Sequence, residues 1–206
     1  MTNICIRPFE TKDYGEVIEI LSWSFQNKFQ SLTRLSMEKL PDFVKRTGVI
    51  ISEPFEGYFV AEEEGKVLGV MVLEWKNQIR PKENIKILDP AKYGVWATLK
   101  FLFGLALLSS SQQKGECYIE HIAVRADARG KGVGSSLLDY GRSFAQSKGF
   151  STYSLHVAAT NKGAVRLYER VGFTTVDLKK SMLTKWLFDI GNWHYMVSSL
   201  KENQES

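Results

Sequence analysis

The stretch with the most chemical reach is Arg129-Gly130-Lys131-Gly132-Val133-Gly134, which stands directly before an apolar-periodic segment. Gly130, Gly132 and Gly134 remove side chains where a backbone must bend and come close to a ligand. A helix beginning inside this turn presents free N–H groups and the positive end of its peptide dipoles together. That makes an anion site suited to a pyrophosphate, held by the main chain from Gly130 through Val133 to Ser135. Arg129 and Lys131 add positive charge beside it. Other phosphate loops fit badly. A Walker A loop needs a Lys-Ser or Lys-Thr pair, whereas Gly132 precedes Val133. A dinucleotide fingerprint needs glycine where Ser135 stands, and belongs to the first strand of a fold. The bland alternative is a tight turn that caps a helix. Cys5 and Cys117 are far apart in sequence, lie in apolar alternating stretches and match no zinc spacing, so two buried thiols are expected and no metal site.

The elements that must carry this turn are legible from periodicity. Residues 117–124, CYIEHIAV, read as a strand, 125–134 as the turn, and 133–148 as a helix. Val133, Leu137, Leu138, Gly141, Phe144 and Ala145 fall on one helical face, and Gly149 ends it. Residues 152–157 read as a further strand, and 162–170 as a short helix closed by Gly172. Upstream, Ile4 and Ile6 mark an opening strand. Thr11 and Asp13 are N-cap candidates for a helix running to about Phe25. A second helical region over 32–46 is interrupted by Pro41, which should break or restart it. Residues 57–75 read as a hairpin: Tyr58, Phe59 and Val60 in one strand, 62–66 as the turn, and 67–75 as a central strand. Residues 77–89 form a loop. After 173 the chain has strand-like stretches over 173–178 and 193–197 with MLTKWLF between them, then a polar tail, 201–206, expected to be disordered.

At 206 residues the chain suits one domain over 1–200, with a core for the turn at 116–174 and an apolar helical insertion near 90–110. A formal net charge of +4 suits an anionic ligand and does not call for nucleic acid. The N-terminal residues MTNICIRPFE have no signal-peptide core, so a cytoplasmic location is the default. Residues 95–108, VWATLKFLFGLALL, test the non-membrane reading. A spanning helix needs about 20 apolar residues. This run is shorter and carries Lys100 near its middle, so a buried or interface helix is expected rather than an integral membrane segment, with membrane-peripheral attachment as the competing reading.

Taken with its strand, IEHIAVRADARGKGVGSSLL resembles the GNAT superfamily of N-acetyltransferases. The signature [RQ]-x-x-G-x-[GA] is matched by Arg129, Gly132 and Gly134. A second block agrees at the expected distance: Asn161, Ala164, Leu167-Tyr168 and Gly172-Phe173. The resemblance implies an α/β (α+β type) fold with a mixed, mostly antiparallel sheet of six to seven strands flanked by helices. Strands four and five, residues 117–124 and 152–157, would splay to admit the pantetheine arm of acetyl-CoA. Main-chain groups of Ile122 and Val124 would pair with the pantetheine amides, residues 130–135 would hold the pyrophosphate, and Asn161 would contact the cofactor.

The implied activity is direct acetyl transfer from the thioester to a primary amine, on a small molecule or a peptide. Tyr168 is the expected acid at the leaving sulfur, and Glu120 the expected base, each role being typically worth ~10²–10⁴ in rate. In a strictly alternating strand Glu120 shares a face with Ile122 and Val124 while His121 faces away; a bulge would shift that parity. His121 and a bulk-water route are the competing bases, and the oxyanion donor is a main-chain N–H near Val124. Cys117 has no neighbouring base and is a poor nucleophile candidate. Trp186, Phe188 and Trp193 are candidates for the acceptor mouth. The apolar helix over 93–108 is expected to pack on residues 182–188, covering the acceptor site, forming a homodimer contact, or serving as a satellite core. The alternative function is a catalytically idle acyl-CoA-binding sensor or scaffold.

Overall fold

A computed structural model gives the architecture and describes residues 4–24, 26, 37–48, 50–81, 113–188 and 190–200. The expected helix over 91–109 and the tail 201–206 lie outside the described residues, as do residues 32–36 of the second helical region. The strands are β1 (Cys5–Pro8), β2 (Tyr58–Glu63), β3 (Lys66–Glu74), β4 (Glu116–Val124), β5 (Thr152–Ala158), β6 (Thr174–Lys180) and β7 (Asn192–Ser199). The helices are α1 (Tyr14–Ser24), α2 (Leu40–Thr47), α3 (Val133–Ser147), α4 (Lys162–Arg170) and α5 (Met182–Phe188). Seven strands form one mixed sheet in the order β1-β2-β3-β4-β5-β7-β6. All its pairings are antiparallel except that of β4 with β5.

Helices cover both faces, which is why β3 reads as a continuous apolar run rather than an alternating one. Val70 and Val72 point to the layer holding Val17, Ile20 and Leu21 of α1. Met71 and Leu73 point to the layer holding Val133, Leu137 and Leu138 of α3. Gly141 lets α3 lie close to the sheet: a Cβ there would run into the Tyr153 hydroxyl and the Met71 thioether.

Three local expectations change. Asp13 is not the N-cap; it sits at the end of a short 3₁₀ turn and its Oδ2 accepts from the Glu10 main chain at 2.8 Å, reciprocating a cap from Glu10. Arg7 holds both Asp13 oxygens at 2.7 and 2.8 Å, fixing that corner. The hairpin turn is two residues, Glu64 and Gly65, both at positive φ, so β2 continues to Glu63. Pro41 stands in the first turn of α2, the restart that is one of its two expected effects, because proline lacks only an N–H that the first turn leaves unused. Cys5 is exposed, not buried, since β1 is the sheet's edge; Cys117 is buried in the core. Among the described residues no helix is long and apolar enough to cross a membrane.

Candidate functional site

The parallel pairing of β4 and β5 runs from Glu116–Thr152 to Ile119–Leu155 and goes no further. Beyond it β5 stays with β7 through Ala158, and β4 stays with β3 through Val124. A gap therefore opens between the two strands. The direction of the β4 main chain follows from one bond, Arg125 N–H to the Leu68 carbonyl at 2.9 Å. In an antiparallel ladder main-chain groups point alternately toward and away from the partner. Arg125 points toward β3, so Val124 and Ile122 present their N–H and C=O groups to the gap. The Arg129 Nε–H donates to the Val124 carbonyl at 3.3 Å, as that direction requires.

At the end of β4 the chain makes a 3₁₀ turn, Ala126–Ala128, and enters the Gly-rich segment. Gly130 (φ 76) and Gly132 (φ 89) adopt the left-handed conformation, and a Cβ on either would meet nothing within 4 Å. Glycine is needed there for the backbone's shape, and the space in front is open. Gly132 is the N-cap of α3 and offers no side chain to its first turn. The N–H groups of residues 130–135 accordingly make no hydrogen bond to any described residue; the first helical bond runs from Ser136 N–H to the Gly132 carbonyl. Val133 is buried and anchors the turn, while Arg129 and Lys131 are exposed beside it. Gly134 lies where α3, α4 and β4 meet, with Leu167 and Val124 as its nearest neighbours.

The strand carrying Glu120 contains a bulge. Val72 pairs with His121 and Leu73 with Ile119, so Glu120 is the extra residue. This corrects the alternating-strand expectation: Glu120 and His121 line one recess together, with Ile50, Ile51, Phe55, Tyr58, Val72 and Arg80. Ile122 and Val124 pack instead on the α3 side of the sheet. Arg80 Nη2 donates to Glu120 Oε2 at 2.7 Å, and its Nη1 lies 3.6 Å from Glu74 Oε1. No signal in the sequence singled out Arg80, which precedes Glu120 by 40 residues and lies in a polar loop.

Tyr168 projects from α4 into the core that contains Ile119, Leu155 and Val157, with Ile122 and Val124 packed against it. Its hydroxyl makes no hydrogen bond to a described residue, and burial pushes its pKa up to about 12. Tyr168 and Glu120 thus lie on opposite faces of the sheet, with the strand gap between them. Asn161 caps α4, its Oδ1 accepting from the Ala164 N–H at 3.2 Å. Arg142 of α3 fixes the other end of α4 by donating to the Val171 carbonyl, and it also donates to Ser198 Oγ at 2.6 Å.

A buried polar network that the sequence did not reveal ties the closed end of the gap. Glu116 accepts from Ser154 Oγ at 2.5 Å, Tyr195 Oη at 2.6 Å and the Gln113 N–H at 2.8 Å. Burial alone would raise its pKa; the hydrogen bonds from Ser154, Tyr195 and Gln113 outweigh that and hold it below the ordinary value. His156, the first β5 residue past the β4 pairing, contacts Tyr118 Oη through Nδ1 at 3.2 Å, and burial lowers its pKa. Cys117 is unsuited to nucleophilic work, its thiol pushed up to about 12 by burial. Trp193 donates its indole N–H to Thr184 Oγ1 at 3.0 Å, while Trp186 is exposed. The side chain of Phe188 lies outside the described residues.

Comparison with known proteins agrees with this geometry. The model of the acetyltransferase (GNAT) family matches residues 15–173. A mycothiol acetyltransferase of Streptomyces scabiei (strain 87.22) is 40% identical over 68 residues, 33% of this chain and 21% of that protein. The chain therefore matches about a fifth of the length of that curated relative. Ard1 from Thermoplasma volcanium aligns over 97% of this chain and 99% of its own, with a TM-score of 0.59 and 21% identity. The Salmonella typhimurium protein yncA, solved with its cofactor acetyl-CoA, aligns over 100% and 98%, with a TM-score of 0.57 and 16% identity. At such identities the solved structures speak to the fold alone. With the family match reaching from α1 to the end of α4, the chain belongs to the acetyltransferase (GNAT) family.

Proposed function

We propose that this chain is an acetyl-CoA-dependent N-acetyltransferase that moves an acetyl group directly from the thioester to a primary amine. The observation that carries the reading is the run of six main-chain N–H groups, residues 130–135, which have no partner among the described residues and stand at the start of α3 next to the β4–β5 gap. A diphosphate matches that donor set, and an arm with amides matches the outward main chain of Ile122 and Val124. When bound, acetyl-CoA supplies an activated acetyl thioester.

The residues then divide the work. Main-chain groups from Gly130 to Ser135 hold the pyrophosphate, Arg129 and Lys131 add charge, and Asn161 contacts the cofactor from the start of α4. Ile122 and Val124 orient the pantetheine arm, and the Val124 N–H stabilises negative charge on the carbonyl oxygen. Glu120 takes a proton from the amine on one side of the sheet, directly or through water. Tyr168 Oη delivers a proton to the leaving sulfur on the other. This division explains why acid and base need not touch: they face the reacting centre from opposite sides of the gap. The free, buried thiol of Cys117 fits a reducing compartment such as the cytoplasm.

Calorimetric titration with coenzyme A tests the reading. Gly132→Glu places a charged side chain at a φ of 89 in the cradle and should weaken binding by about a hundredfold or more. Unchanged affinity in that variant, or no heat with the wild type, would remove the assignment.

A further inference from the structure

Two residues that line the recess beside Glu120 carry buried donors without a partner among the described residues. Tyr58 is 1% exposed, and its hydroxyl has no hydrogen bond among the described residues. Arg80 Nε is buried in the same state. Both residues line the recess with Glu120, and both sit against Phe55: the Tyr58 and Phe55 ring centroids are 5.1 Å apart, and the Arg80 guanidinium carbon lies 4.7 Å from the Phe55 centroid. Buried polar groups left unpaired are rare, because each loses its hydration with nothing in return. Two of them on residues that line one recess mark a place prepared for oxygen acceptors.

A plain amine would use Glu120 and leave both donors unmatched. The neighbouring signs ask for a ligand with both charges: a cation for Glu120 and an anion for Arg80, whose mutual contact is 2.7 Å. A vicinal ammonium and carboxylate have that spacing. Resting on the acetyltransferase reading, we infer that the acceptor is a free α-amino acid, its carboxylate held by Arg80 and Tyr58 and its amine by Glu120. Arg80 is then a specificity-determining residue. Its attachment to Glu74, at 3.6 Å, keeps it in place when the ligand's carboxylate replaces Glu120 as its partner. The carboxylate accepts from the guanidinium and the phenol, the ammonium donates to Glu120, and no covalent bond is made or broken on binding.

The test is equilibrium dialysis of the full chain, without acetyl-CoA, against the common amino acids, their decarboxylated amines and their carboxamides, with retained ligand measured by mass spectrometry. At least one amino acid should be retained about tenfold or more over its own amine and carboxamide. Arg80→Gln should erase that preference. Tyr58→Phe, which removes a hydroxyl the fold does not use, should reduce it several-fold while leaving the melting temperature unchanged. Equal retention of amine or carboxamide, or retention of no amino acid, overturns the inference. Amino-acid retention with no heat from coenzyme A would instead sink the acetyltransferase reading and leave this site standing.

Discussion

Tyr168 keeps its proton far above neutral pH because the core around it disfavours the phenolate, whose pKa is pushed up to about 12. A group in that state is always protonated at neutral pH, and so is always able to donate a hydrogen bond, and a proton as the C–S bond breaks, to a departing thiolate. Tyr168→Phe should therefore lower kcat by ~10²–10⁴ with coenzyme A affinity held within about threefold. The wild-type rate should show no alkaline loss from this residue below the pKa of about 12. Stopped-flow thiol release across pH checks both. An unchanged kcat would return Tyr168 to a packing role. Because its hydroxyl makes no hydrogen bond to a described residue, the substitution should leave the fold intact.

The elements around the gap were unevenly legible in the sequence. The Gly turn, α3 and α4 could be read locally, since their caps, positive-φ glycines and apolar faces lie within a few residues of one another. Three features could not. The bulge at Glu120 is a mismatch in count between β3 and β4, and neither strand's own alternation reveals it. Arg80 reaches its partners only after a hairpin and a loop have been folded back. The Glu116 network joins β4 to β5 across a helix and to β7 across a further strand, so Ser154 and Tyr195 lie 38 and 79 residues from Glu116.

That network closes the end of the gap, and it makes stability depend on pH. Glu116 has a folded-state pKa below its ordinary value of 4.5. Its contribution is therefore present above the ordinary value and lost as pH falls through the folded one. Glu116→Gln should cost about 1–3 kcal/mol at neutral pH. It should also flatten the fall in melting temperature between about pH 5 and pH 3. Calorimetric melting at a series of pH values reads both; parallel curves for the two proteins would deny Glu116 this part.

Over the whole molecule, a formal net charge of +4 and a cradle flanked by Arg129 and Lys131 favour a polyanionic ligand. Much of that attraction is exposed to solvent and so to screening. The Debye length falls from about 10 Å at 0.1 M salt to about 3 Å at 1 M. Coenzyme A affinity should weaken several-fold over that range, and less so in Lys131→Gln. Titration at graded ionic strength decides the matter, and a flat response would mean that the main-chain donors act without help from the surface field. The two outer ends of the sheet differ in the same respect: β6 is exposed along its whole length, and it neighbours α5, where Met182 and Trp186 also face solvent.

The one surplus residue at position 120 works like a phase slip in a wave. On its N-terminal side odd-numbered side chains, Cys117 and Ile119, are in the α3 layer; on its C-terminal side even-numbered ones are, Ile122 and Val124. Excising that single residue would put the strand back in step and leave the side chains on either side of it on the faces they now occupy, since His121 would follow Ile119 as the next residue turned away from α3. The sheet therefore has no need of the extra position, and what a lineage or a designer would lose by omitting it is the second of two successive side chains that β4 sends into the recess.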